Sequence, residues 1–218
     1  MKQRVTEFAR AIEERAADYG ITIDGEAHAR LQNFYSIVER FNPRLHLFAP
    51  VAPAVFATRH VLESCFAARF IADARDIIDI GSGGGAPAIP LLIMRPDVRA
   101  TLIEATTKKA IFLREVLRET NLQTQAEVIN QRFETMPMPD ASPVVVTCRA
   151  LERFAEMLAP LIAWSPDGAR FVLFGGDAVR VTLEKIEANG GVVISEAVLI
   201  PRSDSRFVFV AEKDSEVS

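Results

Sequence analysis

The stretch from Asp76 to Pro90, DIIDIGSGGGAPAIP, constrains the fold more than any other part of the chain. Ile77, Ile78 and Ile80 make a short β-branched run, the mark of a strand buried on both faces. The run breaks into Gly81-Ser82-Gly83-Gly84-Gly85. Glycines let the chain turn sharply and let a ligand lie against bare backbone. Apolar residues resume at Ile89, Leu91, Leu92 and Ile93, so a helix is expected just past the loop. A strand, a glycine loop and a helix N-terminus predict a nucleotide-type pocket whose N–H groups face the ligand. A bare βα turn is the alternative, and glycine at four of five positions argues against it, because each costs folding entropy.

Two ligands compete for such a loop. Gly81-x-Gly83-x-x-Ala86 matches the dinucleotide fingerprint, whose last position can be Ala. Asp79-x-Gly81-x-Gly83-x-Gly85 resembles motif I of class I S-adenosylmethionine methyltransferases more closely. Asp79 would add negative charge beside a cationic cofactor, and a pyrophosphate would be repelled by it.

With 218 residues the chain has room for one α/β domain and a small appendage. Its net charge of −4 excludes a general electrostatic affinity for nucleic acid, so any RNA contact needs a local basic patch. Cys65 and Cys148 lack metal-ligand spacing, as do His28, His46 and His60, so no metal is expected. Reduced core thiols fit a cytosolic protein. The first twenty residues carry charges throughout, and no run of 18 apolar residues occurs, so neither a signal peptide nor a membrane span is expected.

Helical spacing appears over residues 4–18 and 25–41, the second segment closed by Asn42-Pro43, and a third helix is expected over 53–70. His60 is placed on the polar side of that third helix. Residues 1–73 thus read as a helical cap, and 74–218 as a Rossmann-like α/β domain. Residues 101–104 form a second strand ending in Glu104, which lies 21 residues past Gly83. That is the spacing at which an acid bonds an adenosine ribose. Thr107 is a candidate cap for the next helix, whose outer sides carry Lys108, Lys109, Arg114 and Arg118, either a solvated face or a phosphate contact. A third strand over 126–130 is followed by Phe133 and Glu134, placed to flank an adenine; a fourth over 144–148 leads to Arg149. A helix over 151–163, a strand over 170–174, a helix over 178–188 and an antiparallel pair over 192–200 and 206–212 complete about seven strands.

Several segments together resemble the small-subunit ribosomal RNA guanine-N7 methyltransferases, the glucose-inhibited division protein B family. They are Phe41-Asn42, Arg59-His60-Val61-Leu62-Glu63-Ser64, the loop from Asp79 to Pro90, Lys108-Lys109-x-x-Phe112-Leu113, Arg132-Phe133-Glu134, Thr147-Cys148-Arg149-Ala150 and Arg206-Phe207-Val208-Phe209-Val210. The paired prolines, Pro87 and Pro90, are the most specific part. The resemblance implies a class I methyltransferase fold, a seven-stranded sheet with an N-terminal helical cap, and S-adenosyl-L-methionine as cofactor. It maps cofactor contacts onto Gly81, Ala86, Phe133, Glu134 and Arg149. The glycine-loop reading adds Asp79, Ser82, Gly83 and Gly85, and the strand spacing adds Glu104. The implied substrate is N7 of a guanine in 16S ribosomal RNA of the small ribosomal subunit. A cytoplasmic monomer with no DNA or membrane partner is expected.

Guanine N7 carries its own lone pair, so no general base is required, and no catalytic residue is assigned beyond Arg149 as a candidate for positioning. Three departures stand out. Ala86 and Ala88 replace what is usually a larger apolar residue and a glycine. The fifth strand ends Phe174-Gly175-Gly176 where the family has Lys before Gly. Losing that cation leaves open another RNA or a small molecule as substrate, or a cofactor-binding, ribosome-associated regulatory module without transfer activity. An NAD oxidoreductase is the remaining alternative.

Overall fold

The computed structural model describes residues 2–138, 144–149 and 154–214. Its seven strands are β1 Asp76–Ile80, β2 Arg99–Ile103, β3 Ala126–Ile129, β4 Val145–Arg149, β5 Arg170–Gly175, β6 Val192–Leu199 and β7 Phe207–Lys213. They pair in the order β3-β2-β1-β4-β5-β7-β6. The first five run parallel, and β7 inserts antiparallel between β5 and β6. The terminal antiparallel pair is thus present, with its later strand on the inside.

Alternation along the strands divides the interior in two. Ile77, Leu102, Val145, Val172 and Val208 belong to the core shared with the N-terminal helices. Ile78, Ile103, Val146, Phe171 and Phe209 belong to the opposite core. Helices α1 Lys2–Arg15 and α2 Gly25–Leu45 open the chain. Asp24 caps α2, its side chain accepting from Ala27 N at 2.8 Å. Asn42-Pro43 does not close α2. The helix continues to Leu45, with His46 in a left-handed turn (φ 50°) donating N–H to Asn42 O. Proline's φ suits a helix, and only one backbone donor is lost.

The expected helix over 53–70 is one helical run in four parts: α3 Pro53–Phe56, a π-helical turn Ala57–Leu62, α4 Glu63–Phe66 and a 3₁₀ turn Ala67–Ile71. Then come α5 Ala88–Met94, α6 Thr107–Glu119, α7 Phe154–Trp164 and α8 Asp177–Glu187. Residues 151–153, expected to begin the helix now seen as α7, lie outside the described residues. Helices α5 and α6 cover the same sheet face as the N-terminal helices, while α7 and α8 cover the other. Phe8, Leu31, Phe34 and Tyr35 are completely buried, so the cap shares one continuous core with the sheet. Each such side chain contributes roughly 1.5–3 kcal/mol by leaving water.

One buried carboxylate ties the cap to the sheet. Glu63 on α4 is 0 % exposed. Its Oε2 accepts from Arg149 Nη2 at 2.9 Å, at the end of β4. Its Oε1 accepts from Arg206 Nε at 3.0 Å and Nη2 at 2.7 Å, just before β7. Removing one partner of a buried ion pair leaves the other charge uncompensated. Glu63→Ala is therefore expected to lower the unfolding free energy by about 3 kcal/mol, read as a lower urea midpoint. A midpoint equal to the wild type's would show that the two arginines are satisfied without it.

Candidate active site

A cavity of about 570 Å³ opens at the carboxyl ends of the parallel strands, where ligands of open α/β sheets bind. Its floor is the loop after β1, through Gly81, Ser82, Gly83, Gly84 and Ala86. Glu104, Thr106 and Lys109 border it after β2, and Arg132, Phe133 and Glu134 after β3. Leu47, Phe48, His60, Arg149 and Met157 close the other side.

The loop is held largely by the end of β2 and the acid that follows it. Gly81 N and Ser82 N both donate to Ile103 O, at 2.9 and 3.2 Å, and Gly85 N donates to Ser82 O at 2.7 Å. Gly83 N donates to Glu104 Oε2 at 2.9 Å. Gly84 and Ala86 are the cavity-lining loop residues whose N–H groups have no partner among the described residues. The expectation of a helix N-terminus at the ligand is corrected, since α5 begins at Ala88, which is fully buried and outside the cavity.

Glu104 is a fixed acid. Its second oxygen, Oε1, accepts from Thr106 N at 2.7 Å. Asn130, at the end of β3, donates to the backbone oxygens of Glu104 and Ala105 at 2.8 and 3.0 Å. The start of α6 is thus organised by Glu104, and Thr107, expected as its cap, is already the first helical residue.

Of the residues expected at the ligand, Gly81, Ser82, Gly83, Ala86, Glu104, Phe133, Glu134 and Arg149 line the cavity, whereas Asp79 and Gly85 do not. Strand alternation turns Asp79 towards the cap-side core, where it is 1 % exposed. Its Oδ1 accepts from Thr147 Oγ1 at 2.6 Å, and its Oδ2 is buried with no partner among the described residues. Gly85, at φ 91°, is a packing glycine. A Cβ there would lie 2.8 Å from Ile89 Cγ1 and 3.4 Å from Phe34 Cε2. Phe133 is 4 % exposed and packs edge-on against Trp164 at 5.6 Å, so little of its ring is free for a ligand.

Arg149 is held by Glu63 and by the Arg59 carbonyl, and lies over the Phe174 ring at 5.2 Å. Its Nη1 is buried with no partner among the described residues. A buried guanidinium donor of this kind suits an anionic ligand group such as a carboxylate. His60 is not on a polar face. The π-helical turn adds a residue to the helical repeat and swings the ring between Phe48 and Phe56, at 4.6 and 4.9 Å. Burial, then the charges of Arg149, Arg59 and Arg206, push its pKa down to about 3, so the imidazole is neutral.

Phe48 is the contributor that sequence reasoning missed. Asn42 clasps its backbone, donating to Phe48 O at 3.0 Å and accepting from Phe48 N at 2.9 Å. The ring presses on Gly84, where a Cβ would run into it. Gly175 carries no cation to the rim, and a Cβ there would run into Val179. Among the described residues no cluster of three or more His, Cys, Asp or Glu could hold a metal. None of their helices is long and apolar enough to cross a membrane.

Residues 27–198 match the family described as GidB, rRNA small subunit methyltransferase G. The chain belongs to this family. Proteins called ribosomal RNA small subunit methyltransferase G include one from Chloroflexus aggregans, 32 % identical over 213 residues, covering 94 % of this chain and 89 % of the relative. Another, from Anaeromyxobacter dehalogenans, is 31 % identical over 180 residues, covering 83 % and 80 %. Solved structures share the fold at low identity. Pyrococcus horikoshii TYW2, in complex with MeSAdo, superposes with a TM-score of 0.55 at 16 % identity, covering 72 % of this chain and 63 % of that one. Aquifex aeolicus tRNA (m1A58) methyltransferase TrmI does so at 0.52 and 15 %, covering 70 % and 69 %. Members of the methyltransferase G family use S-adenosylmethionine, and the fixed acid, bare loop and unpartnered arginine donor of the cavity fit that cofactor.

Buried Asp79 gives a pH test. Burial first, opposed by the Thr147 hydrogen bond, pushes its pKa from 3.8 up to about 6. The folded state then holds a proton that the unfolded chain releases, so stability falls as pH rises between those values. Asp79→Asn lacks this titration. Between pH 4 and 7, wild-type unfolding free energy is expected to fall by about 2 kcal/mol relative to Asp79→Asn. Parallel pH profiles for the two proteins would show that Asp79 is not a strained buried acid.

Proposed function

We propose that the chain transfers the methyl group of S-adenosylmethionine to N7 of a guanine in 16S ribosomal RNA of the small subunit. What carries this reading is the match of residues 27–198 to the methyltransferase G family. The neutral imidazole of His60 agrees with a transfer that needs no general base. Guanine N7 needs no base, because its lone pair is already exposed.

When bound, S-adenosylmethionine supplies a methyl carbon on a cationic sulfur; N7 forms the new bond, and the electron pair of the broken carbon–sulfur bond stays on sulfur. The residues present only bind and align. Glu104 accepts from the ribose hydroxyls, with its carboxylate already oriented by two backbone N–H groups. Arg149 and the amides of Gly84 and Ala86 donate to the methionine carboxylate. Asp79 and Gly85 act from behind the loop. Alignment of this kind contributes roughly 7–11 kcal/mol in well-oriented systems. Residues 1–73 act as a cap that shapes the substrate side of the domain formed by 74–218. The enzyme is read as a cytoplasmic monomer that does not act on DNA.

Incubation with labelled S-adenosylmethionine and undermethylated 30S particles should yield 7-methylguanosine in the 16S RNA. Background levels alone would remove the proposal. A second reading, favoured by the side-chain-free Gly175 at the rim, keeps the cofactor and changes the substrate to another RNA or a small molecule. Methylation of total RNA or of metabolite extracts, with 30S particles inert, would select it. Glu104→Ala is expected to weaken cofactor binding by roughly 1–3 kcal/mol in calorimetry. Unchanged affinity would place the ribose elsewhere.

A further inference from the structure

The cavity has two unlike sides, set by the strand order β3-β2-β1-β4. Its β2 and β3 side carries Glu104 and Glu134. Its β4 side carries Arg149 with Phe48 and His60 from the cap. If Glu104 holds the ribose, the sulfonium attached to that ribose lies towards β1 and β4. The base that receives the methyl then meets the cap side of the cavity. Nothing in the expected cofactor set needs an aromatic ring there, yet a ring is fixed in place by three independent contacts. Asn42 pins its backbone at both N and O. Phe56 packs against it edge-on at 5.0 Å. Gly84 accepts the ring against bare backbone. Phe48 is only half-buried and lines the cavity, with the His60 ring beside it at 4.6 Å.

On these grounds we propose that Phe48 is the stacking wall for the target guanine and stabilises the charge that the base acquires during methyl transfer. This rests on the guanine-N7 reading given above. Guanine enters neutral and leaves as a 7-methylguanine cation. An aromatic face attracts a cation more strongly than a neutral ring. The Phe48 contact therefore strengthens as the reaction proceeds, and an interaction stronger in the transition state than in the ground state raises kcat. His60 beside it completes an uncharged wall. Burial and the neighbouring arginines keep its imidazole neutral, so it does not repel the developing charge. Leu47, on the same loop, extends the apolar surface. Arg149 stays engaged by Glu63, which offsets part of its charge beside the reacting base.

The test separates stacking from loop packing. Phe48→Leu keeps apolar bulk and removes the π-face, whereas Phe48→Tyr keeps it. On 30S particles, Phe48→Leu is expected to lower kcat about tenfold, with the KM for S-adenosylmethionine and the affinity for S-adenosylhomocysteine unchanged. Phe48→Tyr should stay within about twofold of the wild type. Wild-type kcat in Phe48→Leu would overturn the proposal. So would a joint loss in both variants together with S-adenosylhomocysteine affinity, since that pattern belongs to a loop-packing residue. A second measurement does not depend on ribosomal RNA. In the presence of S-adenosylhomocysteine, the wild type should bind 7-methylguanosine more tightly than guanosine, and Phe48→Leu should lose that preference. Equal binding of the two nucleosides by the wild type would also overturn it. Absence of 7-methylguanosine from treated 30S particles would instead count against the RNA reading, while the nucleoside comparison still decides the role of Phe48.

Discussion

The contact on which the rest depends is the pairing of Glu63 with Arg149 and Arg206. A carboxylate with no exposed surface is tolerated only where charge and hydrogen bonds compensate it, and here two guanidinium groups supply both. The three residues come from α4, the end of β4 and the approach to β7. They fix the cap against the rim of the sheet at the height of the cavity. Arg149 thereby reaches the cavity with its Nη2 tethered and its Nη1 without a partner among the described residues. The cap is structural in its core and contributes directly to the site at its edge.

The glycine loop is equally settled. Gly81, Ser82 and Gly83 have spent their N–H groups on Ile103 and Glu104. The acid that faces the cavity is also the acid that holds the loop. Binding at such a site asks for little rearrangement, and preorganisation of this kind lowers the entropic cost of association.

Much of this was legible in the sequence, because its signals are periodic or fixed by spacing. The strands are present to within two residues at either end. Glu104 is in the cavity because a βαβ unit of ordinary length returns the chain beside the loop. What the sequence hid follows from geometry that has no period. Asp79 looked like a ligand residue from its distance to the glycines, yet the two-residue alternation of β1 turns it inward beside Thr147. Gly85 looked like part of a cradle and instead makes room for Ile89 and Phe34. His60 was assigned to a polar face by a 3.6-residue repeat that the π-helical turn breaks. Phe48 sits in a connection without pattern, and Asn42, six residues earlier, was its one available signal.

The position of β7 inside the sheet bears on how the chain assembles during synthesis. Glu63 emerges early and Arg206 follows 143 residues later, with β6 made before β7, the strand through which it enters the sheet. Up to that moment the β5 edge is open and the carboxylate lacks one of its two counter-ions. The last-made strand therefore covers the β5 edge, and the residue just before it supplies the second counter-ion of α4, so one late segment completes both the sheet and the anchor of the cap at its rim.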